Sequence, residues 1–130
     1  MTTETSIEEL VALLTAQKTA RIHEGAVSAK VRADRLQRAI DLLVKYRDPL
    51  CEAAHADFGN RPRTITLMSD ILGSLRSLKA AQKDFVPWMK PQRRNGIMPF
   101  NWFGATGHVE YQPKGVVGIM GTWNFPIFTL

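Results

Sequence analysis

The stretch Gln112-Pro113-Lys114-Gly115-Val116-Val117-Gly118-Ile119-Met120-Gly121-Thr122-Trp123-Asn124-Phe125-Pro126 constrains the fold of this chain most. Small and β-branched residues run from a Pro-x-Gly start, carry glycines at 115, 118 and 121, and deliver an aromatic and a carboxamide into a turn fixed by Pro126. A short apolar run bounded by Gly and Pro reads as a buried strand, here expected over Val116 to Met120. A strand of this kind is stable only beside other strands or a covering helix.

What precedes it is helical. Ser6 and Glu9 form a Ser-x-x-Glu capping box ahead of Leu10, Val11, Leu13 and Leu14, so a first helix is expected from Ile7 until shortly before Gly25. Leu36, Ile40, Leu43 and Val44 recur at helical spacing, with Arg35, Arg38, Asp41 and Lys45 opposite, which predicts a second amphipathic helix from about Ala29. Asp48-Pro49 offers a cap and a first-turn proline, and Gly59 a left-handed stop, so a short third helix is expected over 49–58. After Arg61-Pro62, a fourth and longest helix is expected to turn Ile65, Met68, Ile71, Leu72, Leu75 and Leu78 to one face and to end near Trp88, after Pro87. Pro91, Gly96, Pro99 and Gly104 break any period, so 89–105 read as an irregular connection. His108, Val109, Glu110 and Tyr111 then alternate as a strand from Thr106, with Pro113 separating it from the next. Helices first and two strands last leave a sheet short of strands, and the reading expects more chain beyond Leu130.

Composition narrows the class. With 130 residues, 45% hydrophobic and 22% charged, the chain has the make-up of one modest globular domain and not of a disordered tail. The 17 Lys and Arg against 12 Asp and Glu give a net charge of +5, but the basic residues are dispersed among acids from Lys18 to Arg47, with one small cluster at Lys90, Arg93 and Arg94. No zinc-knuckle spacing, aromatic ribonucleoprotein strand or long basic helix accompanies them, so a solvated surface is expected and no nucleic-acid partner. The acidic start Met1-Thr2-Thr3-Glu4-Thr5 argues against a secretory signal, and no apolar run approaches the roughly 20 residues of a spanning helix. A cytoplasmic protein without a membrane segment is expected. The single cysteine, Cys51, forms no internal disulfide, which suits a reducing compartment.

The ordered set Pro-x-Gly-Val-Val, Gly and Trp-Asn-Phe-Pro resembles the aldehyde dehydrogenase superfamily. Asp57-Phe58-Gly59-Asn60-Arg61, Trp88-Met89 and Tyr111 to Gly118 are similar to its coniferyl aldehyde dehydrogenase type, and residues from about Val27 to Leu130 are covered by the likeness. The resemblance implies an α/β fold, α-rich in this part: an N-terminal helical segment of the nucleotide-binding domain over 1–105, a strand toward the oligomerisation arm over 106–114, and the first strand and turn of the nucleotide-binding and catalytic region over 115–130. It implies NAD(P)-dependent oxidation of an aldehyde, coniferyl or another aromatic one, to the carboxylic acid, in a homo-oligomer, expected to be a dimer.

The resemblance also gives Asn124 the role of an oxyanion donor, since a neutral carboxamide donates where charge develops without having to be protonated. Read from its neighbours alone, Asn124 equally suits an Asx turn before Phe125-Pro126. Met120, Gly121, Thr122 and Trp123 match the strand end that passes the nicotinamide half of NAD or NADP; Thr122 stands where the family usually has Pro. Gly115, Gly118 and Gly121 do not form a Gly-x-Gly-x-x-Gly phosphate cradle, so the cofactor assignment comes from the resemblance. The family's nucleophilic cysteine lies far downstream of this motif, and its general-base glutamate has no match here. Cys51 reads as a packing residue; Cys51 and His55, four apart, also share a helix face as a thiol–imidazole pair. His23, His55 and His108 are too scattered for a metal site. A second function from another class is a catalytically inert helical module for self-association or subunit pairing.

Overall fold

A computed structural model of the chain describes residues 5–130; Met1 to Glu4, most of the acidic start, lie outside the described residues. The chain divides into two compact units, one made of the residues up to Ser28 with Gln112–Gly118, the other of Ala29–Tyr111 with Ile119–Leu130.

The first unit carries α1, Ile7–Glu24. The capping box forms as the spacing requires: Ser6 Oγ accepts from the Glu9 N–H at 3.2 Å and Glu9 Oε2 accepts from the Ser6 N–H at 2.9 Å. Glu8 and Glu9 in the first turn and Arg21 and His23 in the last oppose the helix dipole. Gly25, at φ 66°, ends the helix, its N–H donating to the Arg21 carbonyl and its own carbonyl accepting from the Arg21 guanidinium. No residue of α1 is buried.

In the second unit α2 runs unbroken from Ala29 to Phe58, so the separate helix expected over 49–58 is its C-terminal part. Pro49 sits inside α2 on an exposed face. An internal proline costs about 3 kcal/mol, yet only an unbroken helix keeps Cys51 and Ala54 on the same buried stripe as Ile40. Asp48, expected as a cap, instead takes the side chains of Arg47 and Arg63. Gly59, at φ 73°, is the left-handed stop, its N–H donating to the Ala56 carbonyl at 3.2 Å.

The expected fourth helix is present, but its interior differs. A short α3, Arg63–Ile65, passes directly into a π-helical segment, Thr66–Leu72, and then into α4, Gly73–Trp88, which carries Pro87 and stops where expected. The longest helix is α2. Of the predicted common face Ile71 is buried and Leu75 and Leu78 are half-buried, but Ile65, Met68 and Leu72 are exposed, and Thr66, Asp70, Ser74 and Phe85 join Ile71 in the core. A π turn holds an extra residue, which rotates the following face by about 100° relative to a plain α-helix. Helix α2 packs along both the π segment and α4, with Gln82 Nε2 donating to Gln37 Oε1 at 3.0 Å across the pair.

The expected irregular connection contains a strand. Here β1, Gln92–Asn95, pairs antiparallel with β2, Thr106–Val109, in the register Gln92 to Val109 and Asn95 to Thr106. Gly96 closes the hairpin against Ala105, whose carbonyl would meet any added Cβ. The strand predicted from Thr106 is therefore found, and ends at Val109. The strand predicted over Val116 to Met120 is not: among the described residues no strand pairs with it, and Val117, Ile119 and Met120 are exposed. The residues suit a buried strand, but a strand is defined by the neighbours that take its backbone hydrogen bonds.

Candidate oxyanion site

Residues 123–129 form a compact turn, knitted by its own hydroxyls. Thr129 N–H and Oγ1 both donate to the Phe125 carbonyl, at 3.2 and 2.8 Å. That hydroxyl oxygen in turn accepts from the Thr122 N–H at 2.9 Å and lies 3.2 Å from Thr122 Oγ1. A proline at 122 would have no N–H to give, so Thr122 makes a bond across the turn that a proline there would not. Gly121 faces Pro126: an added Cβ would stand 2.9 Å from the Pro126 carbonyl oxygen and 3.2 Å from the Leu130 side chain. Its glycine is thus required by the chain's own turn.

Below the turn lies a buried ion pair that the sequence reading did not single out. Arg61 Nη2 donates to Asp70 Oδ2 at 2.8 Å, with side-chain exposures of 9% and 1%. Asp70 Oδ1 accepts the N–H groups of Ile127 and Phe128 at 3.2 and 3.3 Å, so one carboxylate binds a guanidinium and the start of a turn. Arg61 Nη1 donates to the carbonyl of Asn124 at 2.7 Å, and its guanidinium lies over the rings of Phe58 and Phe125 at 4.8 and 5.4 Å. The π segment places Asp70 here, and Ser74 Oγ donates to the Asp70 carbonyl at 2.6 Å. Thr66, Asp70 and Ser74 form a polar stripe at four-residue spacing, on the side that hydrophobic periodicity leaves to solvent, so the pattern did not mark them as buried.

Asn124 is therefore fixed through its backbone. Its carboxamide is exposed and forms no hydrogen bond to another described residue, so the turn does not use it as an Asx cap. Trp123 and Met120 are exposed at 84% and 93% and present open surface beside it. Of the residues expected beside a cofactor, Met120 and Trp123 are exposed, whereas the space at Gly121 is taken by Pro126 and Leu130.

Cys51 and His55 do come together, lining with Glu52, Pro62 and Arg63 a cavity of about 370 Å³. They do not form an activated pair. Burial pushes the Cys51 thiol up from its ordinary pKa, with the nearby Arg63 charge opposing only in part, and the His55 Nδ1 is engaged by the Arg61 carbonyl at 2.9 Å. Among the described residues no three His, Cys, Asp or Glu side chains gather as for a metal ion.

The model of the aldehyde dehydrogenase family matches residues 2–130. The chain belongs to the aldehyde dehydrogenase family. It is 42% identical to a coniferyl aldehyde dehydrogenase from a Pseudomonas species over 120 residues, 92% of this chain and 24% of the relative. It is 40% identical to a probable coniferyl aldehyde dehydrogenase of Caulobacter vibrioides over 116 residues, 88% of this chain and 24% of the relative. A vanillin dehydrogenase of Corynebacterium glutamicum is 29% identical over 125 residues, 95% of this chain and 24% of that one. The chain thus spans about a quarter of the length of these aldehyde dehydrogenase relatives. No solved structure matches it.

Proposed function

We propose that residues 119–130 form the oxyanion side of an active site that oxidises an aldehyde, coniferyl or another aromatic one, to the carboxylic acid with NAD or NADP. The observation that carries the reading is Asn124: its carbonyl is tied down by Arg61 while its carboxamide N–H groups are left unbound and exposed. When a thiolate adds to an aldehyde carbon, the carbonyl oxygen takes up negative charge, and a fixed carboxamide donor aimed at that oxygen lowers the barrier. One such donor contributes about 2.7–4 kcal/mol, or 10²–10³ in rate. Bound NAD or NADP supplies the hydride acceptor, and Met120 and Trp123 offer surface to its nicotinamide end. Cys51, buried and held neutral, is not the nucleophile, so no turnover is expected from these 130 residues alone.

The reading extends to a cytoplasmic homodimer. The support is an exposed two-stranded sheet, β1 with β2, suited to pairing between subunits, and the finding that no helix of the described residues is long and apolar enough to cross a membrane. The exposure of Leu10, Val11, Leu13 and Leu14 on α1 favours, as a second reading, a helical self-association module. A chimera separates them: this chain replaces the matching segment of the Pseudomonas coniferyl aldehyde dehydrogenase, and aldehyde-dependent NADH formation is followed. Turnover with coniferyl aldehyde supports the enzymatic reading. A folded, oligomeric chimera without turnover supports the module.

A further inference from the structure

We propose that Arg61 and Asp70 are positioning residues for Asn124, a buried clamp that sets the direction of its carboxamide; the inference rests on the oxyanion role given to Asn124 above. The clamp grips the turn at two places. Arg61 Nη1 holds the carbonyl of Asn124 itself at 2.7 Å, and Asp70 Oδ1 holds the amides of Ile127 and Phe128, three and four residues on. The Arg61–Asp70 bond at 2.8 Å joins the two grips into one unit.

Both clamp residues stand on well-anchored backbone. Arg61 follows the left-handed stop at Gly59, and Asp70 lies in the π segment that packs against α2. Segments of π-helix inside α-helices recur at functional sites, because the extra residue re-aims a side chain that a regular helix would point elsewhere. Here the re-aimed side chain is a carboxylate with 1% exposure, turned to the backbone beside Asn124. The rings of Phe58 and Phe125 over the guanidinium fix its plane, and Phe125 is the residue after Asn124. Only a planar fork donates to the Asn124 carbonyl and to Asp70 together while lying over an aromatic ring; a lysine ammonium does not match that arrangement. A displacement of about 1 Å at a reacting centre lowers a rate by as much as 10²-fold, so the clamp's effect belongs in kcat.

The test is a double-mutant cycle in the chimera described above. Arg61→Lys is expected to lower kcat roughly 10- to 100-fold with the aldehyde KM little changed, and to cause no further loss once Asn124→Ala is present. Equal losses with and without Asn124→Ala, or a rise in KM with kcat unchanged, overturn the clamp while leaving the oxyanion reading standing. An unchanged kcat in Asn124→Ala alone overturns the oxyanion reading and the clamp with it. Asp70→Asn, which keeps the side-chain shape, runs the same cycle if Arg61→Lys does not fold. In the chain itself, Arg61→Lys is expected to speed hydrogen exchange at the Ile127 and Phe128 amides about tenfold; unchanged protection there contradicts the clamp without reference to activity.

Discussion

The ring of Phe128 stands against the open side of Gly73: a Cβ built on that glycine would lie 2.8 Å from Phe128 Cδ2 and 3.0 Å from Cε2. The first residue of α4 is thus a glycine because an aromatic side chain of the terminal turn packs there. Gly73→Ala gains about 0.5–1 kcal/mol of helix propensity but overpacks the contact by about 1–3 kcal/mol, so a net loss of stability is expected. Gly118→Ala, where an added Cβ meets nothing within 4 Å, is the control and is expected to be neutral. Thermal unfolding of the two variants checks the contrast.

Removing one member of the buried ion pair leaves the other charged and desolvated. Asp70→Ala strands Arg61 and the amides of Ile127 and Phe128 together, so a loss of about 3–5 kcal/mol is expected, measured by denaturant unfolding. Arg38→Ala, which breaks an exposed pair with Asp34, is expected to cost under about 1 kcal/mol.

Cys51 is 1% exposed and its thiol is pushed up by burial. Above the ordinary thiol pKa of about 8.5 the unfolded chain ionises at Cys51 while the folded chain stays protonated. The folded state then binds more protons, so this contribution to stability is complete below that pH and declines as pH rises toward the folded-state value. Stability of the wild type is expected to fall more steeply than that of Cys51→Ala between pH 8 and 10, and alkylation of Cys51 in the folded chain is expected to be slow. Both are read from unfolding curves and from thiol labelling.

At the start of α1 the capping box is exposed and local. Ser6→Ala removes the acceptor for the Glu9 N–H and is expected to cost about 1 kcal/mol of helix stability, seen as a lower far-ultraviolet helical signal.

Where local chemistry decides the structure, the sequence was legible: the Ser6 and Glu9 box, the stops at Gly25 and Gly59, and the end of α4 after Pro87 all stand where their residue types place them. Where packing decides, it was not. Asp48-Pro49 has the chemistry of a helix start, but the stripe through Ile40, Cys51 and Ala54 carries α2 across it. Val116 to Met120 has strand composition, yet pairing partners are not encoded in the run itself. Asn124 stands on a turn with its carboxamide unbound, so the Asx turn that its neighbours alone equally suited is not formed. Asp70 escaped notice because a π turn rotates its helix face, which nothing in periodicity announces, and Arg61, legible only as part of the run 57–61, stands in the connection between α2 and α3.

The most direct measurement of the central claim is the single-turnover rate of NADH formation by the chimera carrying Asn124→Ala, with coniferyl aldehyde and saturating NAD. A fall of about 10²–10³-fold, with NAD binding unchanged by fluorescence titration, is the result expected if the Asn124 carboxamide stabilises the developing oxyanion. A single-turnover rate equal to that of the unsubstituted chimera would contradict it.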